Sequence, residues 1–312
     1  MLDFRVNTFL AVCRTLNYTR AAEELSITQP AVSQHIAHLE RLYGAKLFRM
    51  RGKRPQLTEA GELLCRTFRT MAHDELVLQD RVAELAHRQA IALNVGATLT
   101  AGAYIVARPI GRWLARHPEA RIEIRSGDTH ELLAQLDEGA IDCAFIEGPF
   151  ERQDYRCDEL CTERLACICA PGHPLAGTTL PVDALLGERL VVREPGSGTR
   201  AVLENALTAR NLSIGSFSHV STASSIGVIK ALVEEGVGIS FLYRAAVRAE
   251  LAEGRLAEIE LEGAPIEHDI TFVRLAGSAF DNALAGFFED VRREMWPQAR
   301  RSAEGPAGGA SG

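Results

Sequence analysis

The stretch from Thr19 to Ile36 leaves this chain little choice of fold. Ala21, Ala22 and Leu25 have helical spacing, Ser26 to Thr28 interrupt it, and Pro30 opens a second apolar series of Val32, Ile36, Leu39 and Leu42. Proline is harmless in the first turn of a helix, where its missing N–H would be unpaired anyway, and disruptive deeper in. A helix is therefore predicted to begin close to Pro30, with Ser26 or Thr28 as its cap. Phe9, Val12, Cys13 and Leu16 share one face of an earlier helix, so three apolar faces can close a small core. Two short helices around a tight polar turn form the unit that sets its second helix into a DNA major groove.

On that reading Thr28, Gln29, Pro30, Ser33, Gln34 and His35 occupy the exposed start of the second helix, with His38 beside them. Their short polar heads suit base edges and phosphate oxygens, although an ordinary solvated helix would also carry polar residues there. After Gly44, the run from Lys46 to Thr58 reads as a two-stranded wing: Leu47, Phe48 and Leu57 anchor it and Gly52 turns it. Arg49, Arg51, Lys53 and Arg54 remain outside, available to phosphates or a minor groove. Residues 1–58 hold nine Lys/Arg against four Asp/Glu, a net +5. The whole chain is −7, so the rest carries −12, and the basic end is the DNA-facing one.

The motifs Thr28-Gln29-Pro30-Ala31-Val32-Ser33, Leu39-Glu40, Gly44, Leu47-Phe48 and Leu57-Thr58-Glu59-Ala60-Gly61 resemble the N-terminal domain of LysR-type transcriptional regulators. The resemblance implies a winged helix-turn-helix domain and a dimerising linker helix, then a C-terminal α/β effector-binding domain of the periplasmic-binding-protein kind, built from two subdomains. It also implies double-stranded DNA, a small-molecule effector and a homodimer or homotetramer, with RNA polymerase as a further partner at a promoter. One departure stands out: relatives commonly place Arg two residues after the Leu-Phe pair, where this chain has Met50 flanked by Arg49 and Arg51.

From Thr58 to Ala90 there is no proline and one glycine, Gly61. Leu64, Met71, Leu78 and Leu85 recur every seven residues with Phe68 and Val82 between them, a coiled-coil stripe broken by Glu75. A protein reading a symmetric operator needs a two-fold partner, which gives the stripe a purpose; the alternative is a helix packed on its own domain. The predicted organisation is a DNA-binding domain at residues 1–58, a linker helix at 59–90 and an effector domain at 91–299. Within the latter, residues 91–162 and 267–299 form one subdomain and 163–266 the other. The tail at 300–312, rich in Gly, Ala and Ser, is expected to be disordered.

Beyond Ala90, strand and helix patterns alternate, which argues a mostly parallel sheet with helices on both faces. The family implies chain crossings near Leu160 to Arg164 and Ala264 to His268. Hydroxyls and small residues precede helices at Thr98-Leu99-Thr100, Gly127-Asp128-Thr129, Gly196-Ser197-Gly198-Thr199 and Ser221-Thr222-Ala223-Ser224-Ser225. Free N–H groups and the positive dipole end favour an anion there, although each junction could equally be a plain cap. The candidate effector residues are Thr98, Leu99, Thr100, Thr129, Glu147, Ser197, Gly198, Thr199, Ser221 and Thr222. The run Arg193 to Arg200, with Thr98 to Thr100 and Glu147-Gly148-Pro149, resembles a branch of the family associated with sulfur assimilation, implying a small inorganic sulfur oxyanion. Asp128 stands where that branch would have Asn, and its carboxylate, like that of Glu147, would repel an anion unless paired, with Arg200 as the candidate partner.

Seven cysteines, an odd number, favour reduced thiols. Cys157, Cys161, Cys167 and Cys169 suggest a thiol or metal sensor as the alternative function, though their spacing is not a common zinc pattern. No segment has the roughly 18 apolar residues of a membrane helix and no basic-then-apolar leader opens the chain, so a cytoplasmic protein is expected. No catalytic constellation or cofactor fingerprint emerges, which argues against an enzyme. A solute-binding protein would have no use for the first 58 residues.

Overall fold

The computed structural model describes residues 2–52, 54–87 and 92–295. The N-terminal domain comprises α1 (Phe4–Thr15), α2 (Tyr18–Glu24), α3 (Gln29–Tyr43) and a hairpin of β1 (Phe48–Arg51) and β2 (Arg54–Leu57). Phe9, Val12, Ala21, Val32, Ile36, Leu39, Leu47 and Phe48 form its core. The loop after α3 is tied down by Glu40, which accepts from the Leu47 N–H at 3.0 Å and pairs with Lys46 at 2.6 Å.

The long helix α4 (Glu59–His87) starts where Thr58 caps it, its hydroxyl accepting from the Gly61 N–H at 3.0 Å. Gly61 permits the closest approach here, because a Cβ would sit 2.1 Å from the Leu47 carbonyl oxygen. Cys65 and Phe68 join the core of the N-terminal domain. Farther along, α4 packs on the C-terminal domain: Asp74 accepts from the Ser278 hydroxyl at 2.6 Å and from the Ala279 N–H at 2.8 Å, and Arg69 pairs with Asp137 at 3.1 Å.

The C-terminal domain has two subdomains. The first holds β3 (Ala92–Ala97), α5 (Ala107–Arg116), β4 (Arg121–Ser126), α6 (Thr129–Asp137) and β5 (Cys143–Ile146), and the chain then enters β6 (Tyr155–Cys169). The second holds β7 (Thr179–Leu180), β8 (Arg189–Arg193), α7 (Gly198–Thr208), β9 (His219–Ala223), α8 (Ile226–Glu234), β10 (Ile239–Tyr243), α9 (Arg244–Ala252) and β11 (Ala257–Leu261). The chain returns through β12 (Glu267–Leu275) to α10 (Asp281–Met295). Strand order is β4-β3-β5-β12-β6-β10-β8-β9, with β11 on β6 and β7 on β11. Helices α5 and α10 cover one face of the first subdomain and α6 the other; in the second, α7 covers one face and α8 and α9 the opposite one.

The sheet is mixed rather than mostly parallel. Pairs β3/β4, β3/β5, β10/β8 and β8/β9 are parallel, whereas β12/β5, β12/β6, β10/β6 and β11/β6 are antiparallel. The two crossings form one ribbon: β6 pairs with β12 from Tyr155↔Leu275 to Arg164↔Glu267, then continues into the second subdomain against β10 and β11. A register shift at Ile270/Thr271 interrupts the ribbon midway, a natural point for bending.

Candidate DNA-reading surface and effector cleft

Thr28, not Ser26, caps α3: its hydroxyl accepts from the Ala31 N–H at 3.4 Å, and Pro30 sits in the first turn. Gln29, Pro30 and Gln34 are exposed, and Gln29 donates from its amide to the Ser33 hydroxyl at 3.0 Å. His35 turns the other way. Its Nδ1 lies 2.9 Å from the Thr8 hydroxyl and its ring meets Phe4 edge-on, tying α3 to α1. Burial, helped by the Arg5 charge, lowers its pKa and favours the neutral ring.

In the wing, Arg49 pairs in register with Gln56 and Arg51 with Arg54, with Gly52 at φ +64° making the turn. Alternation puts Arg49 and Arg51 on one face of β1 and Met50 on the other. Met50 is 62% exposed, and Arg49, Arg51 and Arg54 are exposed too. Lys53 lies outside the described residues.

The linker stripe divides. Phe68 is buried and Leu64 partly buried in the N-terminal core, whereas Met71, Leu78 and Val82 are 45%, 53% and 54% exposed. The side chain of Leu85 lies outside the described ones, as do residues 300–312.

In the C-terminal domain, capping separates the candidate junctions. Asp128 caps α6 in a reciprocal box with Glu131, and Ser225 caps α8. The Thr100 and Ser197 side chains cap nothing, although both residues begin helices, Thr100 a π-helical turn at Ala101–Val106 and Ser197 α7. Thr100 is directed across the cleft instead, its hydroxyl 3.3 Å from that of Thr199. Thr199 donates to Glu147 Oε1 at 2.9 Å, and Thr129 donates to the Glu147 carbonyl oxygen at 3.0 Å. Thr98, Thr100, Glu147, Ser197 and Thr199 are all buried, whereas Leu99 is 42% exposed.

The subdomains meet most closely at paired glycines. A Cβ on Gly198 would lie 2.3 Å from the Glu147 carbonyl oxygen, and one on Gly148 would lie 2.7 Å from the Gly198 Cα. At the cleft mouth the Asp128 carboxylate is 3.5 Å from the Cβ position of Gly196. Arg200 does not pair with Asp128, correcting the sequence expectation. It binds Glu204 at 2.8 Å and donates to the Arg193 carbonyl at 3.1 Å, because the first turn of α7 directs it along its own helix.

Arg193 and Tyr243, absent from the sequence-based candidates, belong to this cluster. Arg193 is 3% exposed, donates twice to Glu194 at 2.8 Å, and has Nη1 without a hydrogen bond to any described residue. The Tyr243 hydroxyl, the Ser197 and Thr98 hydroxyls and Glu147 Oε2 are likewise buried without a described partner. Burial pushes the Glu147 carboxyl up to about 7 against the opposing pull of the Thr199 and Thr100 hydroxyls and Arg193. Burial, then the nearby Glu147 and Glu163, raises the Tyr243 phenol. The strand-end rule could have found both missed residues, since each ends a strand shortly before a helix.

Ser221 and Thr222 stay apart from the cluster: Ser221 accepts from Arg189 at 3.3 Å and Thr222 is exposed. The four cysteines separate as well. Cys167 and Cys169 face the second subdomain's core, whereas Cys157 and Cys161 pack on opposite faces of the first. From Cys157 to Cys169 an extended strand runs about 40 Å, and no group of three or more His, Cys, Asp or Glu among the described residues could hold a metal. Burial raises the thiols of Cys161 and Cys169 to about 12 and about 11, keeping them protonated.

A winged helix-turn-helix joined by a long helix to a two-subdomain α/β cleft defines an effector-responsive regulator. Residues 5–62 match the model of the bacterial regulatory helix-turn-helix protein of the LysR family, and residues 87–296 match the LysR substrate binding domain. The chain belongs to the LysR family of transcriptional regulators. It is 33% identical to the HTH-type transcriptional regulator CbbR of Rhodospirillum rubrum over 266 residues, covering 85% of this chain and 87% of that one. With the HTH-type transcriptional activator CmpR of a Synechocystis strain it shares 31% identity, over 83% of this chain and 84% of the other. Among solved structures, a mutant OxyR of Corynebacterium glutamicum in its H2O2-bound form has the same fold, with a TM-score of 0.61 at 24% identity, covering 99% of this chain and 98% of that one. The relatives are transcriptional regulators rather than enzymes, and no helix among the described residues is long and apolar enough to cross a membrane.

Proposed function

We propose that this regulator binds paired promoter half-sites in the cytoplasm as a dimer or dimer of dimers and responds to a small anion in the cleft, with inorganic sulfur oxyanions as first candidates. The observation that carries the anion reading is the set of buried donors left over: Thr98, Ser197 and Tyr243 hydroxyls and Arg193 Nη1, beside the start of α7, which the Ser197 side chain does not cap. Gln29, Ser33 and Gln34 read base edges, while Arg49, Arg51 and Arg54, with Lys53, hold phosphates. Met71, Leu78 and Val82 supply the pairing stripe of the linker.

Signal transfer follows from what α4 holds. Asp74 and Arg69 tie it to the first subdomain, so bending at the β6/β12 ribbon shifts that subdomain, and α4 with it, relative to the second. The spacing of the paired DNA-binding domains changes, and so does their presentation to RNA polymerase. Thr100→Val and Ser197→Ala are expected to remove the melting-temperature rise produced by sulfate or thiosulfate and to leave DNA affinity intact. A rise in both variants equal to that of the unaltered chain removes this pocket assignment.

A further inference from the structure

We propose that Glu147 sets the specificity of the cleft by acting as a neutral carboxylic acid that donates a hydrogen bond to the bound anion, so that the effector enters together with a proton. This rests on the anion reading above. Glu147 is 1% exposed, and its Oε1 is already used as acceptor for the Thr199 hydroxyl. Its Oε2 meets no described partner and is the place for a proton. The other unpartnered groups around it all offer hydrogens: Thr98 Oγ1, Ser197 Oγ, Tyr243 OH and Arg193 Nη1. An oxyanion satisfies each of them. Against such a ligand an ionised Glu147 would put a second negative charge in the same water-poor space, whereas a protonated one adds another donor.

The charged and titratable surroundings support the acid form. Arg193 at the end of β8 is the nearby cation, and Glu194 already engages it through both carboxylate oxygens. Tyr243 at the end of β10 faces Glu147, with Glu163 of β6 also acting on the phenol. Thr100 and Thr199 bring no charge, only their hydroxyls and the Thr199 N–H, and Asp128 at the mouth adds a further carboxylate near Gly196. No second cation balances Glu147 among these groups, and burial raises its carboxyl to about 7, within reach of physiological pH.

Two measurements on the full-length chain and Glu147→Gln test this. In the first, without ligand, thermal stability is followed from about pH 4.5 to about pH 8. The raised carboxyl is expected to stabilise the native chain below its unfolded pKa, and this advantage over Glu147→Gln should fade up to about pH 7 and then stay level. Parallel curves for the two proteins overturn the proposal.

In the second, binding of sulfate, thiosulfate and glycolate is measured by thermal shift and calorimetry at about pH 6 and about pH 8, where the charges of these anions do not change. With a carboxyl near 7, binding is expected to be about tenfold weaker at the higher pH. Glu147→Gln, whose amide still donates, should bind equally at both, as tightly as the native chain does at low pH. Anion binding in the native chain that ignores pH, or strengthens as pH rises, overturns the proton-carrying role and leaves the anion reading standing. No binding of any of the three at low pH overturns both.

Discussion

Gly198→Ala probes the contact on which the cleft geometry depends. The new methyl carbon would lie 2.3 Å from the Glu147 carbonyl oxygen, 2.9 Å from its Cγ and 3.0 Å from its carbonyl carbon, and two of these are backbone atoms with no rotamer to yield. Restoring ordinary contact at 3.4 Å requires the walls to separate by about 1 Å. That shift stretches the 2.9 Å Thr199–Glu147 bond and the 3.3 Å Thr100–Thr199 bond past useful length. At roughly 1 kcal/mol per hydrogen bond the loss is about 2 kcal/mol, felt in the cleft and not in either subdomain core. Hydrogen exchange should quicken in the segments at 146–149 and 196–200, anion-induced stabilisation should disappear, and promoter affinity without effector should not change. Unaltered exchange in both segments would refute the close-approach argument.

Thr28→Ala removes the cap of α3 and should cost about 1 kcal/mol of domain stability, measured by urea denaturation. Promoter selectivity should fall with it, because Gln29 and Ser33 stand on the first two turns. Leu78→Glu combined with Val82→Glu places charge on the exposed stripe of α4 and should shift the chain toward monomer in sedimentation, with a melting temperature lowered by the loss of partner binding. An unchanged sedimentation coefficient would move the dimer contact elsewhere.

The N-terminal domain is readable because its punctuation is chemically clear: Pro30 fits the first turn of a helix and not its interior, and Gly44 and Gly52 take the positive φ that the helix end and wing turn require. The walls of the cleft were readable through hydroxyls at strand-to-helix junctions, but sequence could not say which were caps. Asp128 and Ser225 cap, Thr100 and Ser197 do not, and that distinction needs three dimensions. The first half of β6 shows no clear strand pattern in the sequence, because Asp158, Glu159, Glu163 and Arg164 hide its period and a ribbon between two subdomains has little apolar face to show. Cys157 and Cys161 part from Cys167 and Cys169 for a related reason: nearness in sequence along one extended strand is distance in space.

On the function proposed, a basic winged domain reads DNA while an acidic remainder supplies pairing and effector control. The most direct test is the salt dependence of affinity for an upstream promoter fragment, compared with random duplex, in the native chain, Gln29→Ala and Arg51→Ala. Arg51→Ala is expected to weaken binding to both duplexes and flatten the salt slope by about one unit, while Gln29→Ala narrows only the difference between them. Equal affinity of the native chain for promoter and random DNA at moderate salt would contradict that function.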